Sequence, residues 1–165
     1  MSLFLINIVL FLLAGIGCLV VGSIVINNPP INDPPGFGIR LRTYLTNNMA
    51  ETRRNHRFPE LELPCYTLPP APLFSRVERA VMILGWEVME VDTKHYRLHA
   101  VAVTPLLKFK DDIEIQLLSA PCGTELHIRS TSRVGQGDLG ANTRHILNLM
   151  DVLGQRSDIS GDYFS

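Results

Sequence analysis

The sequence predicts an α+β fold: an antiparallel four-stranded meander with two helices on one face, preceded by one N-terminal transmembrane helix. Three observations carry this. Residues Met1 to Asn32 contain no Asp, Glu, Lys, Arg or His. Beyond residue 65 the patterning runs helix, one short apolar segment, three alternating segments, helix. Each alternating segment is apolar on one face and polar on the other, so both helices belong on the apolar face.

The apolar core Leu3 to Ile26, LFLINIVLFLLAGIGCLVVGSIVI, would be about 36 Å long as a helix, against a hydrocarbon thickness of roughly 30 Å. A cleaved signal peptide would need a basic start and a shorter apolar run. A lipidated Cys18 would lead into a polar tether rather than further apolar residues. We therefore assign residues 1–28 to a membrane anchor. Residues 29–64 read as a connector. Pro29, Pro30, Pro34 and Pro35 block helix and hold the following chain off the bilayer. Within it, residues 37–50 place Phe37, Leu41, Tyr44, Leu45 and Asn48 on one stripe, flanked by Arg40 and Arg42. This suits a short amphipathic helix, either packed on its own domain or lying on the membrane surface. Residues 51–64 read as an irregular polar connection, with the basic run at 53–57 solvated.

The soluble domain is expected over 65–157, followed by a tail at 158–165. Pro72 fits the start of a helix bearing Leu73, Val77, Ala80, Val81 and Leu84, with Gly85 as its stop. Strands are expected at 86–91, 96–103, 113–118 and 124–132. In the last, Leu126 and Ile128 face one side and Glu125, His127 and Arg129 the other. A helix follows from about Ala141 to Leu153, with Leu139, Ile146, Leu147, Met150 and Leu153 as its stripe and Gly154 as its stop.

Charge is balanced, with 15 basic and 16 acidic residues, so nothing points to nucleic acid as a partner. Cys65 and Cys122 either pair or remain buried thiols. No metal or cofactor is expected. Asp111 and Asp112 point to opposite faces of a strand, and His99 and His127 lie about 10 Å apart on the sheet spacing, too far to share one zinc. Nucleophile-elbow and zinc-protease motifs are absent from the sequence.

The densest segment is 129–146, RSTSRVGQGDLGANTRHI. A glycine-rich loop opening onto a helix start suits an anion, because free N–H groups and the helix dipole converge there. The candidate ligand-binding residues are Arg129, Ser132, Arg133, Gly135, Gly137, Asp138 and Asn142. Arg133 would contact the anion, Asp138 would hold the loop, and Asn142 would add a polar contact. The competing reading is structural. Asp138 would ion-pair with Arg133 or Arg144, the glycines would serve turns, and a Ser119–Thr124 register would set Glu114 opposite Arg129.

This segment resembles the hallmark RSxSRVGxxDLGxNxxRI of the "domain of unknown function 1499" family, found largely in bacteria and plastids. The last Arg of that pattern is displaced here, with Arg144 beside His145. FKDDIEIQL, GWEVMEVD, LHAVAVTPL and FPEL are also similar, so the resemblance covers roughly residues 34–154. It implies a compact α+β domain behind a hydrophobic N-terminus, associated with the cell envelope. Arg40 and Arg42 after the span favour a cytoplasmic domain. The envelope association favours the periplasmic side of a bacterial inner membrane or similar, where we place it. The expected role is a membrane-anchored domain that binds a small anionic ligand, a lipid headgroup or a partner protein. The alternatives are a structural subunit of a membrane complex, or an enzyme using Asp112 or His127 near Arg129.

Overall fold

The computed structural model describes residues 3–155. Helix α1 spans Leu3–Asn27 and is long and apolar enough to cross a membrane. Its side chains are mostly exposed, but Ser23 and Asn27 at its C-terminal end are buried against the rest of the chain. Pro29 and Pro30 follow and cannot continue it.

Helix α2 (Phe37–Thr46) leads into a short strand β1 (Met49–Glu51). A 3-10 turn at Pro59–Leu61 precedes β2 (Cys65–Tyr66) and helix α3 (Pro70–Ile83). Strands β3 (Glu87–Asp92), β4 (Arg97–Val103), β5 (Lys110–Ala120) and β6 (Gly123–Ser132) form the expected meander, closed by helix α4 (Ala141–Gln155). The sheet order is β1-β6-β5-β4-β3, with β2 also on β6, all antiparallel. The β5–β6 register pairs Ser119 with Thr124 and Glu114 with Arg129, as the turn residues predicted.

The sheet therefore has six strands rather than four. β1 comes from residues read as a helix end and the start of the polar connection, and β2 from the first two residues of the expected domain, which were assigned no element. Strands of three and two residues are too short to show a period of two, and both lie on the edge of β6 that the meander leaves free. Helix α2 packs on its own domain, but not by the expected stripe. Arg40 and Tyr44 are its buried residues, while Phe37 and Leu45 are exposed.

The core lies between the sheet and helices α3 and α4. Leu73, Val77 and Val81 of α3 and Ile146, Leu149 and Leu153 of α4 meet Leu98, Ala100, Ile113, Ile115, Leu126 and Ile128. Tyr44, Phe58 and Leu61 belong to the same core, so it does not begin at Cys65, and residues 29–64 are not a spacer. Arg40 is fully buried and ties this segment together. Its guanidinium donates to both Glu60 carboxylate oxygens (2.5 and 2.8 Å), to Tyr44 Oη and to the carbonyls of Asp33 and Pro34, and it lies over the Phe58 ring.

Helix α3 starts two residues earlier than expected, because prolines fit a first turn whose N–H groups have no helical partner anyway. Gly85, at φ +69°, follows its C-cap as expected. Helix α4 runs through Gly154, which is thus not its stop. Cys65 and Cys122 are disulfide-bonded, with Cα atoms 6.3 Å apart, joining β2 to the β5–β6 turn. The tail expected at 158–165 lies outside the described residues.

Candidate functional site

Three places hold the polar chemistry of the domain. The first is the glycine-rich loop between β6 and α4. Asp138 caps α4 by accepting from the backbone N–H of Gly140 (2.9 Å) and Asn142 (3.1 Å). Burial pushes its carboxyl up to about 6. Asn142 is fully buried. Its Oδ1 accepts from Ser130 Oγ (2.5 Å), and its Nδ2 donates to the Asn48 carbonyl (2.8 Å) and Ser132 Oγ (3.0 Å). Gly137 passes so close to α2 that a Cβ there would sit 2.4 Å from the Leu45 carbonyl oxygen. Gly135 sits at φ +93°, and its carbonyl accepts from Asn48 Nδ2.

Asp138 therefore pins the loop, but through backbone N–H groups rather than through an ion pair with Arg133 or Arg144. Arg133 reaches the other way. It grips Asp112 with Nε and Nη2, each at 2.7 Å. Arg144 donates Nε to the Asn27 carbonyl (3.0 Å) and Nη2 to the Asn28 carbonyl. The structure thus brings Ser132, Gly137, Asp138 and Asn142 together around the helix start and places Arg129 and Arg133 on the polar sheet face. The N–H groups of residues 140 and 142, where an anion would have docked, face the Asp138 carboxylate.

The second place is the polar sheet face. The registers align Glu51, Arg129, Glu114, His99 and Glu90 in one row across five strands, about 19 Å at the usual strand spacing. Among the described residues Glu51, Arg129, Glu114 and Glu90 make no side-chain hydrogen bond or ion pair, so the Glu114–Arg129 facing is not a closed pair. The row floors an open trough of about 560 Å³. The trough reaches Arg129 but not the glycine-rich loop. At its rim Asp112 binds Arg133 and His99 (2.8 Å), which hold its carboxyl down to about 2. Asp111 points to the opposite face and is fully buried, as strand alternation predicts.

The third place is the junction where α1 leaves the domain, which the sequence reading did not single out. Asn27 Nδ2 donates to the Leu139 carbonyl (3.1 Å). Gly140, at φ +81°, lies under the Pro29 ring, and a Cβ would meet that ring at 2.4 Å. Beside this joint runs a groove of about 480 Å³. Ile26, Trp86 and Val103 form its apolar side, and Arg144, His145 and Asn148 its polar side. Arg144 Nη1 has no protein partner among the described residues. His145 stands edge-on to Trp86, with ring centres 5.9 Å apart, and its Nε2 lies 3.0 Å from Asp111 Oδ2. Among the described residues Asp111 Oδ1 and Ser23 Oγ are buried without partners, and Asp111 and Ser23 line a 30 Å³ cavity, room for about one water. The sequence carries no local signal for this site, since Trp86 and the Arg144-His145 pair lie far from Ile26 along the chain. Only the fold sets them beside residue 26.

A six-stranded antiparallel sheet, backed by two helices and seated on the end of a membrane-length apolar helix, defines a two-layer α+β domain with an N-terminal apolar helix. The chain belongs to the family described as "Protein of unknown function (DUF1499)", whose model matches residues 39–153 and so spans β1 to α4 and most of α2. No curated protein matches it.

Proposed function

We propose that the chain is a single-pass membrane protein whose domain sits on the bilayer surface and holds a phospholipid headgroup in the groove beside the helix exit. The observation that carries this is the groove itself. It is amphipathic, it begins at Ile26, where the apolar span ends, and at that level it offers Arg144 Nη1, whose N–H groups have no partner among the described residues. Arginine matches phosphate oxygens, and tryptophan favours the interfacial layer. Retention of α1 is supported by its buried Ser23 and Asn27, since cleavage after α1 would strip the domain of packed groups. The disulfide supports an oxidising compartment, hence the outer side of the membrane. Binding is favoured over catalysis. The trough on the sheet face is open to solvent, and Asp112, held ionised by Arg133, makes a poor general acid or base.

Native mass spectrometry after gentle detergent extraction tests the reading. The wild-type protein should retain one phospholipid, anionic over zwitterionic. Asn148→Phe, which fills the half-exposed side of the groove, should lose it with no change in thermal midpoint. A lipid-free wild type, or equal retention by Asn148→Phe, would overturn the proposal.

A further inference from the structure

The β4–β5 turn, residues 104–109, reads Thr-Pro-Leu-Leu-Lys-Phe. Three hydrogen bonds close its two ends. Thr104 N–H donates to the Phe109 carbonyl (2.9 Å), Phe109 N–H to Thr104 Oγ1 (2.9 Å) and Lys108 N–H to the Thr104 carbonyl (3.2 Å). Its apolar side chains are not satisfied by the domain. Leu106 and Phe109 are each about 40% exposed, at 41% and 42%, and Val103 and Val134 beside them more so. This is a contiguous patch, since Leu106, Phe109 and Val134 line one cavity with Ser23 of α1.

The position of the patch decides its partner. Leu106 Cδ2 lies 3.8 Å from where a Cβ on Gly22 would be. Gly22 precedes the end of α1 at Asn27 by five residues, about 8 Å along the helix axis. A side chain packed there lies at the depth of the apolar span, not in water. Lys108 on the turn and Lys110 at the start of β5 are exposed, and lysine can lay its stem along apolar surface while its ammonium group reaches the polar layer. Outward apolar side chains and flanking lysines suit a short turn that dips into the interfacial edge of a bilayer.

We propose that the β4–β5 turn, with Val134 beside it, is a second membrane contact that inserts into the bilayer next to α1 while Lys108 and Lys110 meet lipid phosphates. The inference rests on α1 being a membrane span. It does not need the headgroup groove.

Spin-label accessibility in the full chain, reconstituted into vesicles of zwitterionic lipid with an anionic fraction, tests both layers. Cys18 is the free cysteine among the described residues and lies within α1, so the wild-type protein reports the span itself. Two further proteins on a Cys18→Ser background carry Leu106→Cys, on the turn, and Lys94→Cys, an exposed site in the β3–β4 turn at the other end of β4. The label at 106 should collide several-fold less with a water-soluble nickel chelate, and more with oxygen, than the label at 94. Equal nickel accessibility at 106 and 94, with Cys18 shielded, would overturn the inserted turn and leave the span standing. A nickel-accessible Cys18 would overturn the span, and with it both this inference and the headgroup reading.

Discussion

Asn142→Ala separates a structural role for the glycine-rich segment from a ligand-binding one. Asn142 is fully buried and makes three side-chain hydrogen bonds, to Ser130, Ser132 and the Asn48 carbonyl, at 2.5–3.0 Å. Alanine removes all three and strands two hydroxyls in a site that β6, α4 and the end of α2 close over, while the Asn48 carbonyl keeps the Ser132 N–H (2.9 Å). Each lost bond costs about 1 kcal/mol net, and each of the two stranded hydroxyls adds about 1 kcal/mol, for a total of roughly 5 kcal/mol. At about 2–4 °C per kcal/mol for a domain of this size, the thermal midpoint should fall by on the order of 10 °C. Near-ultraviolet circular dichroism of the full chain in detergent micelles follows the domain without the signal of α1. Asn142→Asp should also destabilise, because a carboxylate cannot donate to the Asn48 carbonyl. A fall of less than about 2 °C for Asn142→Ala would refute the reasoning, since it corresponds to less than about 1 kcal/mol. The residue would then be free for a ligand.

Reducing the Cys65–Cys122 disulfide releases a loop with a sequence separation of 57. The chain-entropy relation gives about 4 kcal/mol, to be checked by urea titration with and without reductant; unchanged midpoints would count against it. Asp138, raised to about 6 by burial, favours its protonated form in the folded state. Its contribution is therefore fully present below the unfolded value near 4 and lost as pH rises through about 6, on the order of 3 kcal/mol. The stability difference between the wild-type protein and Asp138→Asn should shift against the wild type between pH 4 and 7 in parallel melts. Asp112 acts with the opposite sign. Held down to about 2 by Arg133 and then His99, it stabilises above pH 4 and loses that contribution as pH falls through about 2, an acid limb that Asp112→Asn should remove. Arg40→Met should lower stability by about 3 kcal/mol in a urea titration, because Glu60 and two carbonyls lose their charged donor.

How much of this was legible in the sequence depends on the length scale of each signal. The meander was legible because alternation over six to nine residues, as in Ile113–Leu118 and Thr124–Ser132, is unambiguous, and a four-residue turn at Ala120–Gly123 fixes its register. β1 and β2 were not, since two or three residues carry no period. Arg40 was misplaced on the outside of its helix because its burial depends on Glu60, twenty residues on, and spacing cannot announce that partner. The glycine-rich segment was found, but its role was not. Glycine, serine, asparagine and arginine compose an anion site and a loop clamp alike, and only the partners tell them apart. Here Arg133 turns to Asp112, a residue 21 positions away. The groove at the helix exit was invisible because it joins residue 26 to residues 86, 103 and 144, which share no local pattern.

The joint between α1 and the domain sets how such a molecule can meet anything else. Asn27, Pro29, Gly140 and Arg144 lock together with no slack chain between helix and sheet. A domain on a long tether sweeps a hemisphere and samples the solution around it. A domain fused to its own helix moves only as that helix drifts, spins and tilts. With α1 in a bilayer, as proposed above, its encounters are two-dimensional, with lipids and with proteins whose binding surfaces stand at the same height above that bilayer. Rotation about the helix axis becomes its search coordinate, and the trough on the sheet face sweeps the membrane plane like the beam of a lighthouse.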